Sequence, residues 1–222
     1  MEYRCVATTV DGFVQQLAVA YITHGYWFYV VGQIPEGKDP VTIDAKLIER
    51  YGIAISKWAR CRRKKQGLAN MQYLRHERFF VLLATKGRHE FFEREQASFR
   101  DVRRVPINFA SYSIGCRTGR DGRWHASVRI NRDHHAKLKA RLVEIGLRRG
   151  ADAMAREFAR LKYQRFAPVR RQMLETLRAV NRARRTAGID VLAPECLHLQ
   201  RRIRRPFSEA EADHLSARFD NL

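Results

Sequence analysis

The sequence predicts an α+β fold, in which helices pack on one face of an antiparallel sheet and a basic α-helical C-terminal extension follows. Runs rich in β-branched and aromatic residues recur through the first 130 residues. Asp121 and Gly122 separate two of these runs, as is typical of a hairpin turn. After residue 133 the apolar residues recur at a helical period instead. We therefore expect a core domain over residues 1–147 and a basic helical extension over 148–222.

Two apolar runs and a helix-start signal define the N-terminal elements. Residues 17–23 and 26–34 predict a hairpin or two successive strands. Asp39, followed by a proline, predicts the start of a helix that Gly52 ends. A second helical stretch is expected over residues 55–65.

The remaining chain divides into strands and then helices. A continuously apolar run at 79–85 is typical of a central strand. The other predicted strands are residues 73–74, 107–116 and 124–130, and the predicted helices are 134–147, 151–161 and 169–187.

Charge is the strongest indication of a partner class. The 222 residues contain 43 Lys and Arg against 23 Asp and Glu, a net charge of +20. Residues 57–205 carry a net +25, while 1–56 and 206–222 carry −2 and −3. This composition excludes an acidic disordered regulator, a collagen-like fibre and an ordinary neutral metabolic enzyme. A surface this basic concentrates polyanions, so nucleic acid is the expected partner.

The cysteine spacing and the hydropathy pattern predict the cellular compartment. The four cysteines are widely separated, which predicts free thiols in a reducing compartment. The uncharged run over 17–34 contains Gly25 and Gly32 and predicts strands rather than a membrane span. We expect a cytoplasmic or nucleoid-associated protein without a membrane partner. It could act within a ribonucleoprotein or as a homo-oligomer.

Four cationic clusters are the predicted phosphate contacts, because each neutralised phosphate releases counterions. Arginine predominates, and its guanidinium suits bidentate phosphate contacts. A solvated helix end is the simpler alternative for the first cluster. The clusters are Lys57, Arg60, Arg62, Arg63, Lys64 and Lys65; Arg117, Arg120 and Arg123 with Trp124; Arg170, Arg171, Arg178, Arg182, Arg184 and Arg185; and Arg201, Arg202, Arg204 and Arg205.

Acidic residues within the basic segment suggest an alternative, a nuclease. Glu90 and Glu93 could contribute to a Mg²⁺ or Mn²⁺ site on a nucleic-acid surface. A helix in which Glu90 pairs with Arg94 explains the same residues more simply. No cofactor is otherwise expected. No Walker A loop, GxGxxG, GxSxG or HExxH motif occurs in the sequence.

His76 directly precedes the apolar run at 79–85, and Tyr163 follows on an expected basic helix. This order resembles the HUH-type replication initiators and transposases over roughly residues 26–165. The resemblance implies two histidines that hold a metal ion and a tyrosine that attacks DNA. The second histidine of the motif falls at Arg78, so His125 from a neighbouring strand would have to be the other ligand.

The leading hypothesis is a nucleic-acid-binding protein whose arginine- and lysine-rich face contacts the phosphate backbone. The alternatives are a metal-dependent or tyrosine-type (HUH-like) endonuclease of a mobile element, replication or defence system, and an RNA-scaffolding ribonucleoprotein subunit. The sequence leaves DNA and RNA, and single and double strands, open.

Overall fold

The computed structural model describes residues 3–197, 199–200, 203 and 205–207, and it confirms the predicted mixed α+β fold with antiparallel sheets and C-terminal helices. The chain forms two compact units. The first contains the described residues of 1–107, 115–126 and 204–222, and the second those of 108–114 and 127–203. The predicted domain boundary at residue 147 stays a prediction.

A four-stranded sheet forms the centre of the first unit. Its strands are β1 (Phe28–Gln33), β2 (Met71–His76), β3 (Phe79–Ala84) and β4 (Arg100–Asp101), in the order β2-β3-β1-β4. The pairs β2·β3, β3·β1 and β1·β4 are antiparallel. The strands predicted over 26–34, 73–74 and 79–85 are thus confirmed, and the continuously apolar β3 lies inside the sheet as its composition indicates.

One face of this sheet carries α2 (Pro40–Arg50) and the short α4 (Phe91–Arg94). Tyr51, at the end of α2, and Phe91 pack with Tyr73 and Leu82 in one hydrophobic cluster. Asp44 of α2 is buried against the sheet, where the Tyr73 hydroxyl and the Arg75 guanidinium donate to its carboxylate at 2.6 and 2.8 Å. A paired buried carboxylate is satisfied, so this cluster holds α2 on the sheet.

The strand predicted over 17–23 is wrong, because this segment is helical. Helix α1 (Val10–Gln15) continues through a π-helical turn, Gln16–Tyr21, and a 3₁₀ turn, Ile22–His24. Buried residues recur at 13, 14, 17, 18, 21 and 22, the spacing of one helix face. The Phe13 ring contacts His76 and Phe79, which point to the sheet face opposite Tyr73. Burial of this face overrides the β propensity of the isolated run.

Helix α3 (Lys57–Lys65) follows α2, as predicted over 55–65. A second sheet contains β5 (Ile107–Phe109), β6 (Tyr112–Thr118) and β7 (Trp124–Ile130) in that order. The single strand predicted over 107–116 is divided at Ala110, which has a φ of +49°. The hairpin between β6 and β7 is confirmed.

The second unit is mainly helical, with α5 (Arg132–Gly146), α6 (Ala151–Ala159) and α7 (Ala167–Thr186). Helices α5 and α7 pack together, and His135 lies 3.1 Å from the Thr176 hydroxyl. The Gln172 side chain exchanges hydrogen bonds of 2.8 and 2.9 Å with the backbone of Ile130. These contacts direct the opposite side of α7 to solvent. No helix among the described residues is both long and apolar enough to span a bilayer.

Candidate nucleic-acid interface

Helix α3 presents cations on an exposed surface of the first unit. The Ser56 hydroxyl begins the helix by accepting a hydrogen bond from the Ala59 backbone N–H at 3.1 Å. No residue of α3 is buried. The exposed cations are Lys57, Arg62, Lys64 and Lys65, and no carboxylate in the described part of the chain forms an ion pair with them. The dipole of this short helix does not by itself account for four exposed cations.

Two predicted phosphate contacts on α3 face the protein instead. The Arg60 guanidinium donates to the backbone oxygens of Ile53 at 2.9 Å and Ile55 at 3.3 Å. The Asn70 side-chain amide donates to the Arg60 backbone oxygen at 3.0 Å. Arg63 is half-buried, and its Nε is buried without a hydrogen-bond partner. Arg60 therefore anchors α3, which corrects its assignment to the exposed cationic surface.

The β6–β7 hairpin places its three predicted cations, Arg117, Arg120 and Arg123, on the surface. Gly122 adopts a φ of +71°, and the Gly119 backbone N–H donates to the Arg123 oxygen at 2.8 Å, which closes the tip. None of the three arginines forms an ion pair with a described carboxylate. The turn chemistry of the sequence thus yields an exposed cationic tip.

Trp124 is partly engaged in packing and is 38% exposed. The Arg103 guanidinium lies 4.4 Å from the Trp27 ring and 5.7 Å from the Trp124 ring. Asp101 holds that guanidinium with bonds of 2.9 and 2.6 Å. Trp124 is therefore one wall of a cation–π cluster, and only part of its ring faces solvent.

Helix α7 carries a row of four arginines along its solvent side, here called the α7 stripe: Arg171, Arg178, Arg182 and Arg185. All four are exposed, and none pairs with a described carboxylate. Glu175, on the same side of the helix, pairs with Lys139 of α5 at 2.9 Å. The Lys139 ammonium holds the pKa of Glu175 below its usual value. The positive charge of the stripe is therefore not neutralised by this carboxylate.

Two arginines of α7 differ from the stripe. Arg184 is 1% exposed, and its guanidinium donates to the backbone oxygens of Gly146, Arg149 and Asp190. It satisfies carbonyl groups around the end of α5, so its assignment as a phosphate contact is corrected. Arg170 is half-buried.

The fourth predicted cluster is mostly outside the described residues. Arg201, Arg202 and Arg204 lie outside them, and Arg205 is described and exposed.

The histidines of the HUH-like interpretation do not meet. His76 is on β2, which lies next to β3 in the four-stranded sheet, and its Nδ1 lies 2.8 Å from the Ala7 backbone oxygen. His125 is on β7 in the other sheet and pairs with Asp121 at 2.9 Å. Arg78, at the place of the second histidine, donates to the backbone oxygens of Pro35 and Glu36 at 2.6 and 3.0 Å. The expectation that His125 lies on a strand beside His76 is wrong.

Tyr163 lies between α6 and α7, in a segment without helix, rather than on a helix. Its ring packs edge-to-face on Tyr112, with centroids 6.0 Å apart. Burial raises the pKa of its hydroxyl, and a hydrogen bond with Ser111 lowers it by less. A raised pKa disfavours the phenolate that a nucleophile needs.

Glu90 directly precedes the four-residue helix α4, and Glu93 lies within it. Glu90 pairs with Arg94 at 3.0 Å, which confirms the simpler interpretation. A shallow cavity of ≈ 420 Å³ beside Glu90 is lined by arginines and carboxylates together, among them Arg63, Arg88 and Glu49. Among the described residues, no three His, Cys, Asp or Glu side chains are grouped closely enough to hold a metal ion.

Sequence reasoning missed several exposed side chains. Trp58 on α3 is 79% exposed, yet Trp124 was the tryptophan predicted to bind. The sequence did contain an indication of this exposure, because Trp58 lies between cations on a predicted helix that has no apolar face. Three exposed cations of α5 were also missed: Arg132, Lys137 and Arg141.

Comparison of the chain with protein-family models, with curated proteins and with solved structures found no match.

Proposed function

We propose that the protein binds nucleic acid by contacting backbone phosphates with the exposed arginines and lysines of α3, the β6–β7 hairpin tip and α7. Nucleic acid is the biological polyanion that most directly matches a segment of net charge +25. Arginine outnumbers lysine at the exposed positions of the hairpin tip and of α7, and its planar fork binds two phosphate oxygens at once.

The α7 stripe is the observation that carries the proposal. From Arg171 to Arg185 the helix rises by about 21 Å, at 1.5 Å per residue. Phosphates of one strand repeat every 3.4 Å along a duplex axis, so the stripe matches about six nucleotides. Helix α7 packs on α5, and its apolar residues Met173 and Leu177 are buried, so the arginines are held on one exposed side.

A charge variant tests the proposal. Changing the four arginines of the α7 stripe to Gln should weaken binding of a labelled oligonucleotide at low salt and make the plot of log K against log salt less steep. Loss of up to four phosphate contacts reduces the slope by up to about 3.6 for a duplex. Fluorescence anisotropy over a salt series measures both quantities.

The matched control is Lys139→Gln combined with Glu175→Gln, which removes an exposed ion pair on the same two helices without changing the net charge. This variant should bind with the wild-type slope. A stripe variant whose affinity and slope equal those of the wild type would contradict the role of α7.

Addition of Mg²⁺ or Mn²⁺ with a gel readout of strand scission tests the endonuclease alternative, and competition by RNA tests the scaffolding alternative.

A further inference from the structure

Trp58 is the most exposed of the tryptophans, with 79% of its surface accessible. Within the described residues its ring contacts no other aromatic ring and no guanidinium. Trp27 and Trp124, in contrast, both pack on Arg103. An indole of this size normally contributes burial to a core or to an interface. Its exposure here indicates a surface for a partner.

The ring belongs to a defined face of α3. Arg62 lies one turn further along the helix and Lys65 lies two turns further, at the spacings that place side chains on one side. Both are exposed and without an ion-pair partner in the described part of the chain. The face thus presents an aromatic ring followed by two cations over about 10 Å.

Polar contacts, rather than apolar packing, hold this helix in place. The Ser56 cap, the bonds from Arg60 to the Ile53 and Ile55 oxygens, and the bond from Asn70 fix its inner side. Among the residues that the structure describes, no contact on the outer side explains a tryptophan there. The outer side of the helix therefore faces solvent.

Aromatic ring and cations together fit a single-stranded nucleic acid better than a duplex. Proteins that bind single strands stack bases on aromatic side chains and track the backbone with cations. In a duplex the base faces are covered by their neighbours, and only groove edges and phosphates remain accessible. A membrane surface fits less well, because the only apolar side chains of α3 besides Trp58 are those of Ala59 and Cys61.

We propose that Trp58 stacks on an unpaired base of a single-stranded nucleic acid, while Arg62 and Lys65 contact the phosphates that follow it. This inference rests on the proposed nucleic-acid binding and adds the preferred form of the strand. Stacking tolerates any base, so the contact gives strand selectivity without sequence readout.

The test compares the full-length wild type with Trp58→Ala, Trp58→Phe and Val41→Ala, using a labelled 12-nucleotide single strand and the matching duplex at low salt. Val41 is 69% exposed on α2 and is the control for loss of an exposed apolar side chain. Because one stacked base is lost, Trp58→Ala should bind the single strand about 5- to 150-fold more weakly than the wild type. Duplex binding should change less than about twofold, and Trp58→Phe should restore most of the affinity.

Two further readouts separate stacking from loss of structure. Single-strand binding should quench the tryptophan fluorescence of the wild type, and Trp58→Phe should show less quenching. A strand with abasic sites should bind the wild type and Trp58→Ala equally well. DNA and RNA versions of the strand show which sugar the site accepts.

Equal single-strand affinities of the wild type and Trp58→Ala, with the wild type binding both ligands, would overturn the stacking proposal alone. Parallel losses for single strand and duplex would also overturn it. A wild type that binds neither ligand at low salt would instead overturn the proposed function.

Discussion

Neighbouring arginines on α7 serve different purposes, and the difference follows from burial. Arg184 is 1% exposed and donates to three backbone oxygens, whereas Arg185 is exposed and belongs to the α7 stripe. The sequence Arg184-Arg185 does not distinguish them, because each helical turn has inward and outward positions. Arg184 donates to the backbone oxygens of Gly146, Arg149 and Asp190. The first two are distant in the sequence, and Asp190 lies beyond the end of α7.

Replacing Arg184 by Ala should destabilise the protein by about 3 kcal/mol, because several buried charge-assisted hydrogen bonds are lost together. Replacing Arg185 by Ala should change the free energy of unfolding by less than about 0.5 kcal/mol. Urea denaturation followed by circular dichroism measures both. Equal stabilities of the two variants would contradict the structural role of Arg184.

His89 makes stability depend on pH. Burial lowers the pKa of its imidazole, and the charge of Arg63 lowers it further. Its Nδ1 accepts a hydrogen bond from the Phe91 backbone N–H at 3.1 Å, which the protonated ring could not do. The folded protein therefore binds fewer protons here than the unfolded chain, whose histidine has a pKa of about 6.5.

This contribution should be complete above about pH 6.5 and should decline as the pH falls below that value towards the folded pKa. Unfolding free energies measured at about pH 7.5 and 5.5 should differ more for the wild type than for His89→Gln. An identical pH dependence of the two proteins would show that His89 does not carry this effect.

At the scale of elements, local signals in the sequence predict most of the structure. Asp39 and Ser56 cap their helices, and the Asp121-Gly122 turn joins two strands, as their chemistry requires. The segment 17–23 was mispredicted because its helical burial pattern begins earlier, at Phe13, and depends on the face of a sheet. The inward turn of Arg60 likewise depends on backbone oxygens that only the folded chain brings near.

Gly87 determines how the chain leaving β3 meets the chain leaving α3. It has a φ of +141°, and an added Cβ would lie 2.5 Å from the Ala69 nitrogen. The adjoining Arg88 backbone bonds to Gly67 and Ala69 at 3.0 Å each. Gly87→Ala should therefore cost at least about 2 kcal/mol, from backbone strain and the clash together.

The control is Gly37→Ala, since an added Cβ there meets nothing within 4 Å. Thermal unfolding compares the two variants. A Gly87→Ala protein as stable as Gly37→Ala would mean that this close approach is not needed.

At the scale of the whole molecule, charge is the property that the sequence predicts best. The net +25 of residues 57–205 requires no knowledge of the fold, and many of the predicted cations are exposed. The sequence could not show which cations form hydrogen bonds inside the protein, because Arg60 and Arg184 lie in the same cationic runs as their exposed neighbours. For the tryptophans a signal was present, since Trp58 lies between cations in the sequence, but charge alone does not show that Trp58 is more exposed than Trp124.

The most direct measurement of the central claim is the affinity of the wild-type protein for a labelled oligonucleotide at about 50 and 200 mM salt. Four phosphate contacts predict a loss of roughly 100-fold between these conditions, and more contacts predict a larger loss. Tight binding at the lower salt with this steep decline is the expected result. An affinity that does not change with salt, or no binding at about 50 mM, would contradict nucleic-acid binding through the exposed cations.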